Sequence, residues 1–373
     1  MSAIVTGSNN PSKDEPSRSI YLYGPVLDFL LLGGGSLIAL LFIRFSIDPD
    51  EAGIAWSLAT TLAIANIINH PHFAHSYQIF YRNYFQKLTS DRYAPSLRAR
   101  YLVAGILAPT ALALYMAWVV VGEHPRALGL TANGMFFLVG WHYVKQGYGM
   151  AMVDAALKRR FLRRDEKSAL LVNSYVCWLF SWALINHIAA KSTGSYWGVE
   201  YFVVDIPFWA LLVLGAALFL STSWAASLML RRRLRGEATA WNGVVAYVVS
   251  LYAWLLIRDP IILLWIPAFH SLQYLAVVWR YESNRICAGD WKISPQLRII
   301  FFIALGIGLG YAGFWAAPGW LGENIPYNKE IFGSSLFYFL AWIFINIHHY
   351  MLDTVMWRKG NPDVSQYLFG LHH

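Results

Sequence analysis

The chain has 373 residues, of which 57% are hydrophobic, 16% aromatic and only 13% charged, and its mean hydropathy is +0.42. Soluble domains carry about a quarter charged residues, so the composition excludes a chain solvated by water alone and points to an all-α, polytopic integral membrane bundle. The formal net charge of +8 does not point to nucleic acid: Lys and Arg sit in short segments between apolar runs, where membrane lipid headgroups await them.

In chain order, residues 1–22 come first; they are polar, rich in Ser, Asn, Pro and Lys, and lack an apolar core. They read as a disordered cytoplasmic tail, not a cleaved signal. A bilayer core about 30 Å thick needs roughly 20 apolar residues per helix. Ten such runs follow, near 24–43, 53–80, 101–121, 131–156, 169–189, 206–229, 240–257, 260–279, 297–317 and 334–357. One transmembrane domain is therefore expected over 23–358, followed by a cytoplasmic tail over 359–373. Pro109, Pro207, Pro260 and Pro267 fall within or at the start of runs, which membrane helices tolerate when neighbours satisfy the freed carbonyls.

The basic residues set the orientation. Of 29 Lys and Arg, 23 fall in alternate segments, from Lys13 and Arg18 to Arg358 and Lys359. The intervening segments hold only Arg44, Arg126, Lys191, Arg258 and Lys329, with Lys145 inside a run. That asymmetry places both ends on the cytoplasmic side, in a bacterial inner membrane. Cys177 and Cys287 stand 110 residues apart without a CxxC, so neither a disulfide framework nor a thiolate metal site is expected.

The histidines carry the chemistry. His70, His72, His75, His142, His187, His270, His348 and His349 fall within or beside apolar runs. Buried ionisable groups in a membrane are costly and mark functional sites; a lone one is more often a hydrogen-bonded packing residue, but several at one depth are not. Counting about 1.5 Å per residue from the nearest basic residue, five of them lie roughly 10–24 Å from the cytoplasmic boundary. His187, close to Lys191, and His124 belong to the outer surface instead.

On the second run the motif is Asn69-His70-Pro71-His72-Phe73-Ala74-His75. His72 and His75 share a helix face, and Pro71 opens the turn and re-aims His70. On the fourth, Gly140-Trp141-His142-Tyr143-Val144-Lys145-Gln146 places Lys145 to snorkel inward or to pair with a carboxylate such as Asp353. On the tenth, His349 and Asp353 are four apart on one face, while His348 points about 100° away. Asp353 reads as a ligand or as the acceptor that orients an imidazole.

Imidazoles gathered from four helices avoid the burial penalty by coordinating a cation. The expected ligands are His70, His75, His142, His270 and His349, followed by His72, His348 and Asp353. Nitrogen and oxygen donors without thiolate suit iron, zinc or copper(II), and a carboxylate with open positions favours non-haem iron. One or two Fe2+ ions are expected, with a haem protein or assembly subunit of a membrane complex and a metal or proton transporter as the competing readings. Tyr77, Tyr143, Tyr274 and Tyr350 are candidates to line a pocket where O2 meets a carotenoid, quinone or acyl lipid; aromatic residues in such numbers otherwise serve as packing and interfacial anchors.

His270-Ser271-Leu272-Gln273-Tyr274 resembles the His-Ser-Leu-Arg-His segment of the bacterial Brp/Blh-type β-carotene dioxygenases, and Gly140-Trp141-His142-Tyr143 is similar to a Trp-His-Phe-Gly segment of the same family. The resemblance covers these two patches and implies a membrane iron enzyme that uses histidines from several helices and O2. Tyr274 stands where that family has a second histidine. The HxxxH and HxxHH boxes of membrane desaturases are not met by His72-Phe73-Ala74-His75 or by His348-His349.

Overall fold

A computed structural model describes residues 20–190, 195–200, 202–253, 260–358 and 360–369. Its helices are α1 (Pro25–Ser46), α2 (Glu51–Ala65), α3 (Asn69–Tyr81), α4 (Tyr84–Thr89), α5 (Pro95–Val121), α6 (Pro125–Leu157) and α7 (Arg164–Ala189). A two-stranded antiparallel ribbon, β1 (Ser195–Tyr196) and β2 (Val199–Glu200), follows. Then come α8 (Phe208–Leu234), α9 (Trp241–Tyr252), α10 (Pro260–Cys287), α11 (Pro295–Asn324), α12 (Lys329–Phe332), α13 (Leu336–Met356) and α14 (Pro362–Tyr367).

Among the described residues, six segments are long and apolar enough to cross a membrane: α1, α2 together with α3, α5, α7, α8 and α11. They turn large apolar side chains outward; Phe45 is 84% and Val121 85% exposed. Such a surface is costly in water and favourable in lipid. Helices also stand at the other four expected runs, as α6, α9, α10 and α13, although residues 254–257 of the run over 240–257 lie outside the described residues. α13 inverts the usual composition, with Asn346, His348, His349 and Asp353 all buried.

Residues 1–19 of the expected N-terminal tail, and 359 and 370–373 of the C-terminal one, lie outside the described residues. Of the described remainder, Leu22, Asn361, Val364 and Leu368 are buried, while Ile20 is exposed. The Asp28 carboxylate accepts from the backbone N–H groups of Leu22, Tyr23 and Gly24, and Tyr23 donates its hydroxyl proton to Ala276 O. After α13, Asn361 donates to Tyr101 Oη and Met356 O, and Val364 and Leu368 enter the core beside Tyr93 and Leu97.

Proline sets several local departures from regular helix. Pro71 has no N–H and crowds the carbonyl four residues before it, and the chain is irregular at 66–68, separating α2 from α3. α5 contains a π-helical turn, Val103–Leu107, just before Pro109. The carbonyl that Pro109 leaves unpaired, Gly105 O, accepts instead from Tyr81 Oη at 2.7 Å. α11 carries a similar turn at Ala312–Ala316 ahead of Pro318.

Small residues let two helices approach closely around the histidines. A Cβ added at Gly306 would lie 2.3 Å from the His75 ring, and one at Gly310 2.8 Å from the His70 backbone. This Gly-x-x-x-Gly face lets α11 press onto α3.

Candidate metal centre

α3, α6, α10 and α13 converge on one buried point. There His72, His142, His349 and Asp353 each offer a ligand atom, all within 4.8 Å of one another. His270 joins from α10, its ring centroid 5.0 Å from that of His142 and 5.2 Å from that of His72. All five side chains are buried.

Helix phase selects these residues. On α13, His349 and Asp353 are one turn apart, so both face inward; His349 Nε2 stands 3.4 Å and His142 Nε2 3.8 Å from Asp353 Oδ2. The other carboxylate oxygen is engaged, with Oδ1 accepting from Tyr274 Oη at 2.9 Å and Ser76 Oγ at 3.3 Å. Trp357 Nε1 in turn donates to Tyr274 Oη. One oxygen is thus held and the other left facing the imidazoles.

The tautomer of His72 follows from its neighbours. Ser271 Oγ donates its single proton to Asn69 Oδ1 at 2.7 Å, so at 2.8 Å it accepts from His72 Nδ1–H. Nε2 of His72 is therefore the bare nitrogen, and it faces Nε2 of His349 at 2.8 Å. Two ring nitrogens so close need a shared proton or a shared cation. Donors about 2.1 Å from one ion and at right angles stand about 3.0 Å apart, so the spacing suits a cation. His142 Nε2, 3.8 Å from Asp353 Oδ2, is buried without a hydrogen-bond partner, a cost of about 1–3 kcal/mol for a group left unsatisfied. Coordination can remove that cost for the nitrogens that face the ion. The donor set fits a metal.

Tyrosines clamp the imidazoles. Tyr143 stacks on His270 with centroids 3.8 Å apart, Tyr274 on His72 at 4.2 Å and Tyr350 on His142 at 4.6 Å. Phe73 lies edge-on to His349 at 4.7 Å. Of the four tyrosines expected to line a substrate pocket, these three pack on imidazoles, and Tyr143 also borders a cavity. The fourth, Tyr77, instead donates to His348 Nδ1.

The remaining expected ligands lie elsewhere. His348 Nε2 donates to Ala104 O, a carbonyl in the π-helical turn of α5, and is thereby committed as a structural side chain. His75 is three residues beyond His72, a rise of about 4.5 Å and an offset of about 60°. That carries it off the α13 side and onto α11, where it stacks on Phe302 at 4.3 Å and bonds Gln78. His70 is two residues before His72 and therefore nearly opposite. Pro71 breaks the helix upstream of Asn69 without turning His70 inward, so that ring stacks on Phe314 at 4.3 Å. Lys145 lies over the rings of Tyr148 and Tyr175, with its ammonium 5.7 Å and 5.9 Å from them, and does not pair with Asp353. His187 hydrogen-bonds Ile206 O. Of the two cysteines, Cys177 donates to Leu251 O and Cys287 is exposed, so thiolate has no place at the centre.

Ser76, Asn69 and Ser271 are the supporting residues that the sequence did not single out. Ser76 carries the one readable signal, standing four residues after His72 and hence on its face. No protein-family model, curated protein or solved structure matches the chain.

Proposed function

We propose that the protein is a ten-span oxidoreductase of the bacterial inner membrane, with both ends cytoplasmic, whose buried centre holds one non-haem iron and acts with O2 on a lipophilic substrate. The observation that carries this reading is the convergence of His72, His142, His349 and Asp353 on one point inside a bundle of apolar helices. A mixed imidazole and carboxylate set favours iron over softer metals. Iron, when bound by these residues, would supply the redox chemistry that a reaction with O2 requires.

The chain's own residues do the rest. Ser271 fixes the His72 ring so that Nε2 faces inward, while Tyr274 and Ser76 hold the outer oxygen of Asp353. Second partners of this kind orient ligands and are worth roughly 10- to 100-fold in metal affinity. Phe73, Tyr143 and Tyr350 surround the imidazoles with apolar rings and exclude water. The resemblance of the patches around His142 and His270 to carotenoid-cleaving dioxygenases supports an O2-dependent chemistry, and the lipid-facing helices support a substrate drawn from the bilayer.

The competing readings fit less well. A haem held between two axial histidines needs a gap for the macrocycle, and the 2.8 Å between the His72 and His349 nitrogens leaves none. A transport path would string its ligands along the bundle, whereas these are gathered at one level. Elemental analysis of detergent-purified protein tests the proposal: one iron per chain without a Soret absorption band is expected. Protein isolated without metal from iron-replete cells, or with a Soret band, would overturn it.

A further inference from the structure

A small cavity, about 30 Å³, lies beside His270, lined from α1, α6, α9 and α10. That is room for about two water-sized groups. Leu40, Val249, Ile266 and Phe269 make most of its wall, and none of its described lining residues carries a formal charge. Two of the lining residues, Ser36 and His270, hold buried polar atoms without a hydrogen-bond partner, Ser36 Oγ and His270 Nε2. Ser36 is 1% exposed.

The wall is braced. α1 is broken at Gly33 as it passes the cavity, and a Cβ there would lie 2.9 Å from Ala246 Cα of α9. Gln273 donates to the Leu32 carbonyl at the break, while Ser250 and Gln146 both donate to Gln273 Oε1. Gln273 and Ser250 are therefore occupied, and Ser36 and His270 remain open to a guest. Beyond α1 lies an outward face carrying Leu37, Leu41 and Phe42.

Building on the proposed metal centre, we propose that this cavity receives a small, uncharged, oxygen-bearing group, hydrogen-bonded by Ser36 and His270. A carboxylate or phosphate would be buried there with no cationic side chain among the described lining residues, a costly placement. A hydrocarbon end would leave both polar atoms unsatisfied. The oxygen has two sources, the hydroxyl or carbonyl end of a lipophilic molecule entering from the bilayer, or water. In the first case the cavity makes the substrate an alcohol, ketone or quinone-like lipid.

Binding of radiolabelled 1-hexadecanol, hexadecane and hexadecanoate to the full-length protein in nanodiscs tests this, with iron measured on the same samples. A lipid source predicts that the alcohol binds at least tenfold more tightly than the other two. Ser36→Ala then weakens it about tenfold with iron content unchanged, and Leu40→Trp, which fills the space, abolishes it. A water source predicts no selective alcohol binding and, in an experimental density map, ordered water between Ser36 and His270. Equal binding of the carboxylate, alcohol binding indifferent to both substitutions, or a dry cavity without alcohol binding would overturn the proposal. Because iron is read separately, its loss from the wild-type protein would count against the metal centre and not against the cavity.

Discussion

His72 and His349 differ from His70, His75 and His348 in little that composition can register. All are buried or nearly so, all lie on α3 or α13, and His348 and His349 are adjacent. The first pair meets His142 and Asp353 at one point; the other three each find a separate structural niche. The difference is angular. α3 presents one face to α13 and another to α11, and two residues along a helix carry a side chain about 200° round, to nearly the opposite face. Histidine at membrane depth is thus necessary for the centre but not sufficient. What matters is the neighbour that each helix face meets.

Removing a member of the inner group should have the largest effect. His349→Ala or Asp353→Ala is expected to lower metal affinity by more than about 100-fold, exceeding the typical effect of losing a supporting partner, and metal retained at wild-type level would erase the distinction between the two groups. Ser271→Ala frees the His72 ring and Tyr274→Phe frees Asp353 Oδ1. Each should weaken metal binding by roughly 10- to 100-fold with the fold intact, as competition with a chelator would show.

The outer group should answer in stability and not in metal content. Gly310→Ala forces α11 away from the His70 backbone and should cost about 1–3 kcal/mol, seen as a lower thermal midpoint. His348→Ala removes the bonds to Ala104 O and Tyr77 and should cost about 1–3 kcal/mol with iron still bound. Smallest is His70→Phe, which replaces an unpaired buried ring with an apolar one stacked on Phe314. It should be neutral or slightly stabilising, and loss of iron on this substitution would show that the boundary between the groups is misplaced.

Much of this molecule is readable from its sequence, at two different levels. Length of apolar run marks the helices, because lipid demands continuous internal hydrogen bonding. Within one helix, spacing marks His349 with Asp353 and separates His348 from both. What spacing cannot give is which face of α3 looks at which helix. His70 and His75 therefore stood ahead of His72 as ligands, although α11 claims both through Gly310 and Gly306. Pro71 misled in the same way, since its effect falls on 66–68 and leaves the phase of 69–81 intact. The serine supports depend on contacts nearly 200 residues apart in the chain, such as His72 with Ser271, and only the tertiary fold supplies these. The tyrosines are a further case: their number was compatible with packing as well as with a pocket, and Tyr143, Tyr274 and Tyr350 stack on imidazoles.

Three imidazoles and one carboxylate from three helices, α3, α6 and α13, are proposed to grip a single ion. X-ray absorption at the iron edge of the purified protein reads this directly. A first shell of nitrogen and oxygen only is expected, at roughly 2.0–2.2 Å as for such donors generally, with outer-shell scattering from about three imidazoles that falls by about one in His142→Ala. A shell containing sulfur, a tetrapyrrole signature, or a spectrum unchanged by His142→Ala would contradict it.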